Sequence, residues 1–158
     1  MSATTPIDFY FDFSSPYGYF AAAKIEALAA KHGRGVTWHP ILLGAVFKLN
    51  GQQPLANIPL KGSYAKHDML RSARWFGLPF KVPSRFPINT VAPCRAFYWV
   101  HDQDATLAKQ FALALYHAYF AEDRDISNPE VTGNAAAKLG INKTALTAAL
   151  NDAAVKER

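Results

Sequence analysis

Between an aromatic run and a helix-forming run the chain reads "YFDFSSPYGYF" (residues 10–20), which sets Ser14, Ser15 and Pro16 at a junction. A helix opening at Pro16 exposes first-turn N–H groups that have no intrahelical partner and carry partial positive charge. An anion can be received there without a specialised side chain. Ser15 stands at the N-cap, and Pro16 is pre-set for the first helical position. A hydroxyl that accepts from a helix N–H still has one proton to donate outward. Aimed at a bound thiolate, that proton favours the ionised sulfur, and the helix dipole assists. A Ser-Pro start is equally an ordinary capping signal, and the two roles are compatible.

The other reactive residue types are sparse. The single cysteine, Cys94, has no internal disulfide partner and reads as a core residue on a helix face. A reducing cytoplasm is therefore the expected location. The histidines, His32, His39, His67, His101 and His117, lack metal-ligand spacing, so no metal site is expected. His117, within an apolar stretch, reads as a satisfied core histidine. Charge is uneven. Residues 41–100 hold eight basic residues and one acid, Asp68, for +7, which leaves −2 for the rest of a chain with net charge +5. Such a field favours anionic partners. No helix-turn-helix, zinc or stacking signature accompanies it, so nucleic acid is not expected, and small carboxylates fit better. Charges interrupt every apolar run long enough to suggest a membrane span. The first residues show no basic stretch followed by an apolar one, so no signal peptide is expected.

The elements that must position these residues follow from periodicity. "IDFYFDF" alternates, with Ile7, Phe9, Phe11 and Phe13 on one face and Asp8, Tyr10 and Asp12 on the other. A helix is predicted over residues 16–31 with Ala21, Ile25, Leu28 and Ala29 as its stripe, stopped near Gly33. "VTWHPIL" is a second strand, and strand, helix and strand with short turns make a parallel βαβ unit. Beyond residue 43 the pattern turns helical. A short helix ends at Gly51 and a Pro-containing loop follows. A helix ending at Gly77 carries Tyr64, Met69, Ala73 and Phe76, and a proline-rich connection leads from it to about Thr90. A helix from Thr90, a largely buried helix from about residue 104, one capped by Ser127/Asn128, and one running from Asn142 to the end complete the chain.

The stretch "DFYFDFSSPYGYFAAAKIEALA" resembles the opening of the 2-hydroxychromene-2-carboxylate isomerase and kappa-class glutathione transferase family, a branch of the DsbA-type thioredoxin-like proteins. The likeness continues from "HPILLGAVFKLNG" to "FPINTVAPCRAF", and so covers most of residues 6–100. It implies an α/β thioredoxin-like fold: a βαβ half at 6–43, a helical insertion at 44–140, and a helix at 141–158 leading back toward a second half. Where DsbA-type relatives open the helix with Cys-x-x-Cys, this chain has Ser15-Pro16-Tyr17-Gly18. Dithiol–disulfide exchange therefore has neither its attacking nor its resolving thiol here. The resemblance implies glutathione as the borrowed thiol, with Ser15 as the catalytic contact to sulfur. Pro16, Tyr17, Gln52 and Lys61 are the further glutathione contacts, Gln52 standing where the family commonly has asparagine. Lys48 is implied as the contact to a substrate carboxylate, and Asn89 as a polar lining of the substrate pocket.

The family's closing strand with its cis-proline, the hairpin and the final helix have no counterpart in these 158 residues, so part of the implied glutathione site is not expected from them. The implied activity is glutathione-dependent isomerisation of a hydroxychromene carboxylate, a small anionic aromatic-derived substrate, by a homodimer. Kappa-like conjugation, or binding without catalysis, are the alternatives.

Overall fold

The computed structural model describes residues 5–157; the reading of the extreme N-terminus as free of a leader, and the run of the last helix to Arg158, fall outside them in part. Strand β1 (Ile7–Phe11) and strand β2 (Val36–Pro40) pair in parallel, from Ile7 opposite Val36 to Phe11 opposite Pro40. Among the described residues the sheet has these two strands, joined by helix α1 (Pro16–Lys31). Alternation sends Phe9 and Phe11 inward while Asp8 and Tyr10 stay exposed. The two inward rings meet the Trp38 indole of β2 edge-on, at 5.1 and 5.4 Å between centroids. Such offset contacts add to the burial itself. The indole N–H donates to Glu26 of α1 at 2.7 Å. Lys109 Nζ approaches the same carboxylate at 2.8 Å and donates to the Val36 carbonyl at 2.7 Å. One glutamate thus ties crossover helix, sheet and helical layer together.

The helical part comprises α2 (Leu43–Leu49), a 3₁₀ turn at Leu55–Asn57, α3 (Lys61–Phe76), α4 (Val91–His101), α5 (Ala105–Phe120), α6 (Pro129–Ala137), α7 (Lys143–Ala149) and α8 (Ala153–Lys156). Gly62 is required where α3 begins, because a Cβ there would lie 2.5 Å from the Ala56 carbonyl oxygen of the 3₁₀ turn. Helix α5 is capped by Asp104, which accepts from the Thr106 and Leu107 N–H groups, and is apolar on most sides as expected. It runs through the middle of a continuous core that spans both strands, α1, and α4 to α7.

Several sequence expectations change. The inner face of α1 is Tyr19, Phe20, Ala22 and Ala29, with Ile25 half-buried, whereas Ala21 and Leu28 are exposed. Helix α3 buries Ala65, Met69 and Ala73, and leaves Tyr64 and Phe76 exposed. The last predicted helix is two, because Asp152 starts a new cap for α8 after α7 ends at Ala149. His117 is not in the core; it lies on the outer side of α5, with Nδ1 3.4 Å from Glu122. Asp12 is not on the outer face with Asp8 and Tyr10. β1 ends at Phe11 and the turn that follows rotates the aspartate inward, so Phe11, Asp12 and Phe13 are buried in succession.

Candidate functional site

The site forms where the carboxyl end of β1 meets the N-terminus of α1, the position at which open α/β sheets receive ligands. Ser15 is the N-cap, with extended backbone (φ −92°, ψ 115°), and its Oγ accepts from the Gly18 N–H at 3.1 Å. Among the described residues no acceptor takes the Ser15 hydroxyl proton, and the side chain borders a cavity of about 440 Å³. Ser14 does a different job. Its Oγ accepts from the Ile88 N–H at 3.1 Å and holds the proline-rich connection against the turn.

Beneath the serines, Asp12 gathers three segments. Its Oδ1 accepts from the Ser14 N–H and its Oδ2 from the Leu43 N–H, each at 2.7 Å. The Thr90 hydroxyl lies 3.1 and 3.2 Å from the two oxygens. Burial raises the Asp12 carboxyl above its ordinary range, and these three donors act against that rise. The Asp12 carbonyl accepts from the Ser15 N–H at 2.9 Å and from the Tyr116 hydroxyl at 3.0 Å.

The cavity wall is mostly apolar, with Leu43, Phe47, Leu55, Met69, Phe86 and Ile88 among its residues. Its polar residues are Asp12, Ser14, Ser15, Tyr17, Asn89 and Thr90. Of the residues singled out from sequence, Ser15, Pro16, Tyr17 and Asn89 meet on this cavity. Asn89 Oδ1 also accepts from the Val91 N–H at 2.9 Å, which caps the start of α4. Lys48, Gln52 and Lys61 are exposed on α2, the following loop and the start of α3, and do not line the cavity. Cys94 is buried nearby, and burial pushes its thiol up to about 12. Such a thiol is inert at neutral pH.

Tyr17 borders the cavity and donates its phenolic proton to Asp68 Oδ2 at 2.8 Å. Arg71 Nη2 sits 2.6 Å from Asp68 Oδ1, so the one acid of the basic middle segment couples α1 to α3. Burial, then the Asp68 hydrogen bond and charge, push the Tyr17 phenol up to about 12. An Asp68→Asn substitution removes the negative charge that opposes ionisation, so Tyr17 is expected to titrate below that value. Ultraviolet titration of the tyrosines, with Tyr17→Phe to assign the transition, measures the shift; a Tyr17 transition unmoved by the substitution contradicts the coupling.

Sequence reasoning missed Asp12 and Thr90, and it named Ser14 at the junction without giving it a role. One signal was present: Asp12 accepts from the N–H two residues on, the Asx-turn arrangement that an aspartate ending a strand before Ser-Ser can adopt. The Leu43 and Thr90 contacts carry no local signature.

Comparison with known proteins agrees with this fold. Over 117 residues the chain is 38% identical to glutathione S-transferase kappa 1 of Caenorhabditis elegans, covering 70% of this chain and 51% of that protein. It is 27% identical over 154 residues to the 2-hydroxychromene-2-carboxylate isomerase of Pseudomonas putida, covering 96% of this chain and 74% of that one. The chain thus spans about half the length of the kappa relatives it matches. A solved structure of a 2-hydroxychromene-2-carboxylate isomerase superposes with a TM-score of 0.82 at 25% identity, over 98% of this chain and 75% of that one. Residues 6–158 match the family described as the DSBA-like thioredoxin domain. The strand, capped helix, parallel strand and helical layer are those of that family, and the chain belongs to it.

Proposed function

We propose that this protein is a glutathione-dependent enzyme of the isomerase and kappa-transferase branch, with 2-hydroxychromene-2-carboxylate-type isomerisation as its first reading. The observation that carries the reading is Ser15: a helix cap whose hydroxyl proton has no acceptor among the described residues, facing a largely apolar cavity. The fit to a thiol ligand rests on the same atoms, since one donor and a helix N-terminus converge on a place where a sulfur anion could sit. Glutathione, when bound, would supply a thiolate that adds to an electrophilic carbon and is later expelled, dividing one difficult step into two. The chain's own contribution is to hold the sulfur ionised with the Ser15 O–H and the α1 N-terminus, and to surround the reacting carbon with apolar wall. Pro16 and Tyr17, which border the cavity, are proposed to flank the sulfur, and Gln52 and Lys61 are proposed for the peptide portion of glutathione. Lys48, exposed on α2 outside the cavity lining, is proposed for the substrate carboxylate, and Asn89, on the lining, for a polar substrate atom.

Ser15→Ala is expected to lower glutathione-dependent turnover roughly 100-fold, the scale for losing one donor to a developing anion. The lost cap should cost only about 1 kcal/mol of stability. Turnover of a chromene acid is measured with and without glutathione, alongside a melting curve; unchanged turnover in the variant defeats the role given to Ser15. Conjugation of glutathione to uncharged electrophiles is the second reading, and one observation favours it. Among the described residues, no lysine, arginine or histidine lines the cavity. Activity toward an uncharged aromatic electrophile with none toward chromene acids would select it.

A further inference from the structure

Asp12 is a buried carboxyl that the reading above does not use. It is 5% exposed, while Tyr10, two residues earlier, is 63% exposed. Among the described residues it makes no ion pair, so its charge is held by hydrogen bonds alone. The titratable groups facing it are the Cys94 thiol of α4 and the Tyr116 and Tyr119 phenols of α5. Burial raises all three, so they stay neutral, and because ionisation would make them anions none can neutralise the carboxylate. A buried charge without a cation is costly and needs a compensating arrangement.

We propose that Asp12 is the positioning residue of this site: one carboxylate holds the Ser14–Ser15 turn, the start of α2 and the start of α4 at fixed separation, and so sets the place of the Ser15 hydroxyl against the cavity walls. The inference rests on the reading of Ser15 as the thiol contact. Its geometry is independent of that reading. Two backbone N–H groups from different segments reach opposite carboxylate oxygens, each at 2.7 Å. The Thr90 hydroxyl, from a third segment, lies within hydrogen-bonding distance of both. Each segment also contributes to the cavity: Ser15 from the first, Leu43 and Phe47 from the second, Asn89 and Val91 from the third. The Asp12 main chain completes the grip, because its carbonyl accepts from Ser15 N–H and from the Tyr116 hydroxyl.

The arrangement demands a carboxylate. Asparagine has nearly the same shape but one acceptor oxygen, and its amide hydrogens would face either the Ser14 or the Leu43 N–H. Two donors cannot satisfy each other, so one segment must move away. A displacement of about 1 Å at a reacting group can cost on the order of 100-fold in rate. Asp12→Asn should therefore act on the chemical step more than on ligand affinity.

The test compares Asp12→Asn, Thr90→Val and Thr90→Ser with the unaltered protein. Three readouts are used: kcat and KM for glutathione, the pH at which bound glutathione shows thiolate absorbance, and amide hydrogen exchange at Ser14 and Leu43. In Asp12→Asn we expect kcat to fall roughly 100-fold with a smaller change in KM. Bound thiol should titrate at higher pH, and the two amides should exchange faster. Thr90→Val should show the same changes in smaller measure, and Thr90→Ser, which keeps the hydroxyl, should recover most of the loss. A folded Asp12→Asn protein with unaltered kcat and thiol titration overturns the proposal. If that variant does not fold, Thr90→Val decides by the same criteria, and no difference between Val and Ser overturns it. If the unaltered protein shows no bound thiolate, the glutathione reading fails by itself. Exchange then decides the clamp, which falls if Ser14 and Leu43 stay protected in Asp12→Asn, or in Thr90→Val where that variant stands in.

Discussion

Gly18→Ala is expected to destabilise the protein by about 2 kcal/mol, although alanine is the better helix former. A Cβ at Gly18 would lie 2.6 Å from the Tyr116 hydroxyl oxygen and 3.3 Å from both the Asp12 carbonyl oxygen and Ser15 Cβ. The phenol cannot yield easily, since it is fully buried on α5 and donates to that Asp12 carbonyl at 3.0 Å. Overpacking of this kind costs about 1–3 kcal/mol, and weakening a buried hydrogen bond adds about 1 kcal/mol. The gain in helix propensity returns about 1 kcal/mol. The partition is testable by a double-mutant cycle in denaturant. Tyr116→Phe alone should cost about 1 kcal/mol. In the Tyr116→Phe background the obstructing oxygen is gone, so Gly18→Ala should become neutral or mildly stabilising, a coupling of about 2 kcal/mol. Additive effects would show that the close approach of Gly18 and Tyr116 does not carry the cost. Because the Gly18 N–H is the donor to Ser15 Oγ, the single variant should also weaken whatever Ser15 holds.

The largest loss of stability is expected at Phe120. This ring is fully buried at the end of α5. It lies parallel to Tyr19 at 5.5 Å and to Phe80 at 5.4 Å, and meets Tyr119 at 4.6 Å. Its carbonyl oxygen accepts from the Lys81 N–H at 2.6 Å. Phe120→Ala removes the ring and leaves a cavity that three anchored aromatics cannot close, so about 3–5 kcal/mol should be lost. Against a total stability of about 5–15 kcal/mol that is a large share. For a chain of this size the melting temperature should fall by about 10 °C. Trp75→Ala is the matched control. Trp75 is larger but 81% exposed, and its replacement should stay within about 0.5 kcal/mol. Equal losses in the two variants would contradict the packing described for α5. The effect should reach the cavity, because Phe80 and Lys81 anchor the connection that carries Phe86, Ile88 and Asn89 to its wall.

Most of the frame around the site was legible along the chain. The alternation of β1, the Ser15-Pro16 cap and the glycine stops at Gly33 and Gly77 are decided within one turn or one pleat, where sequence spacing is also spatial spacing. The faces of the helices were less legible. Leu28 and Tyr64 have the spacing of inward residues, yet among the described residues no element covers either. His117 fell into an apolar stretch but on the one side of α5 that faces out. A helix that is apolar nearly all round gives periodicity little to work with.

The division of labour at the site belongs to tertiary structure. By itself the sequence determined a strand, a serine cap and a helix N-terminus able to receive an anion, because those features arise from backbone groups and residues close along the chain. It also determined that no dithiol chemistry starts at Ser15-Pro16-Tyr17-Gly18, since neither end of that tetrapeptide is a cysteine. The sequence already put Ser15 at the cap; only the tertiary structure gave Ser14 its part, accepting from the Ile88 N–H 74 residues away while both serines border the cavity. Only it turned Asp12 inward, through Thr90 at a separation of 78 residues and Tyr116 at 104. It also set Asn89 on the cavity wall and Lys48 and Lys61 away from it. The physical reason is the same throughout. A buried polar group must find partners wherever the fold brings donors and acceptors together, and those partners need not lie near it in sequence.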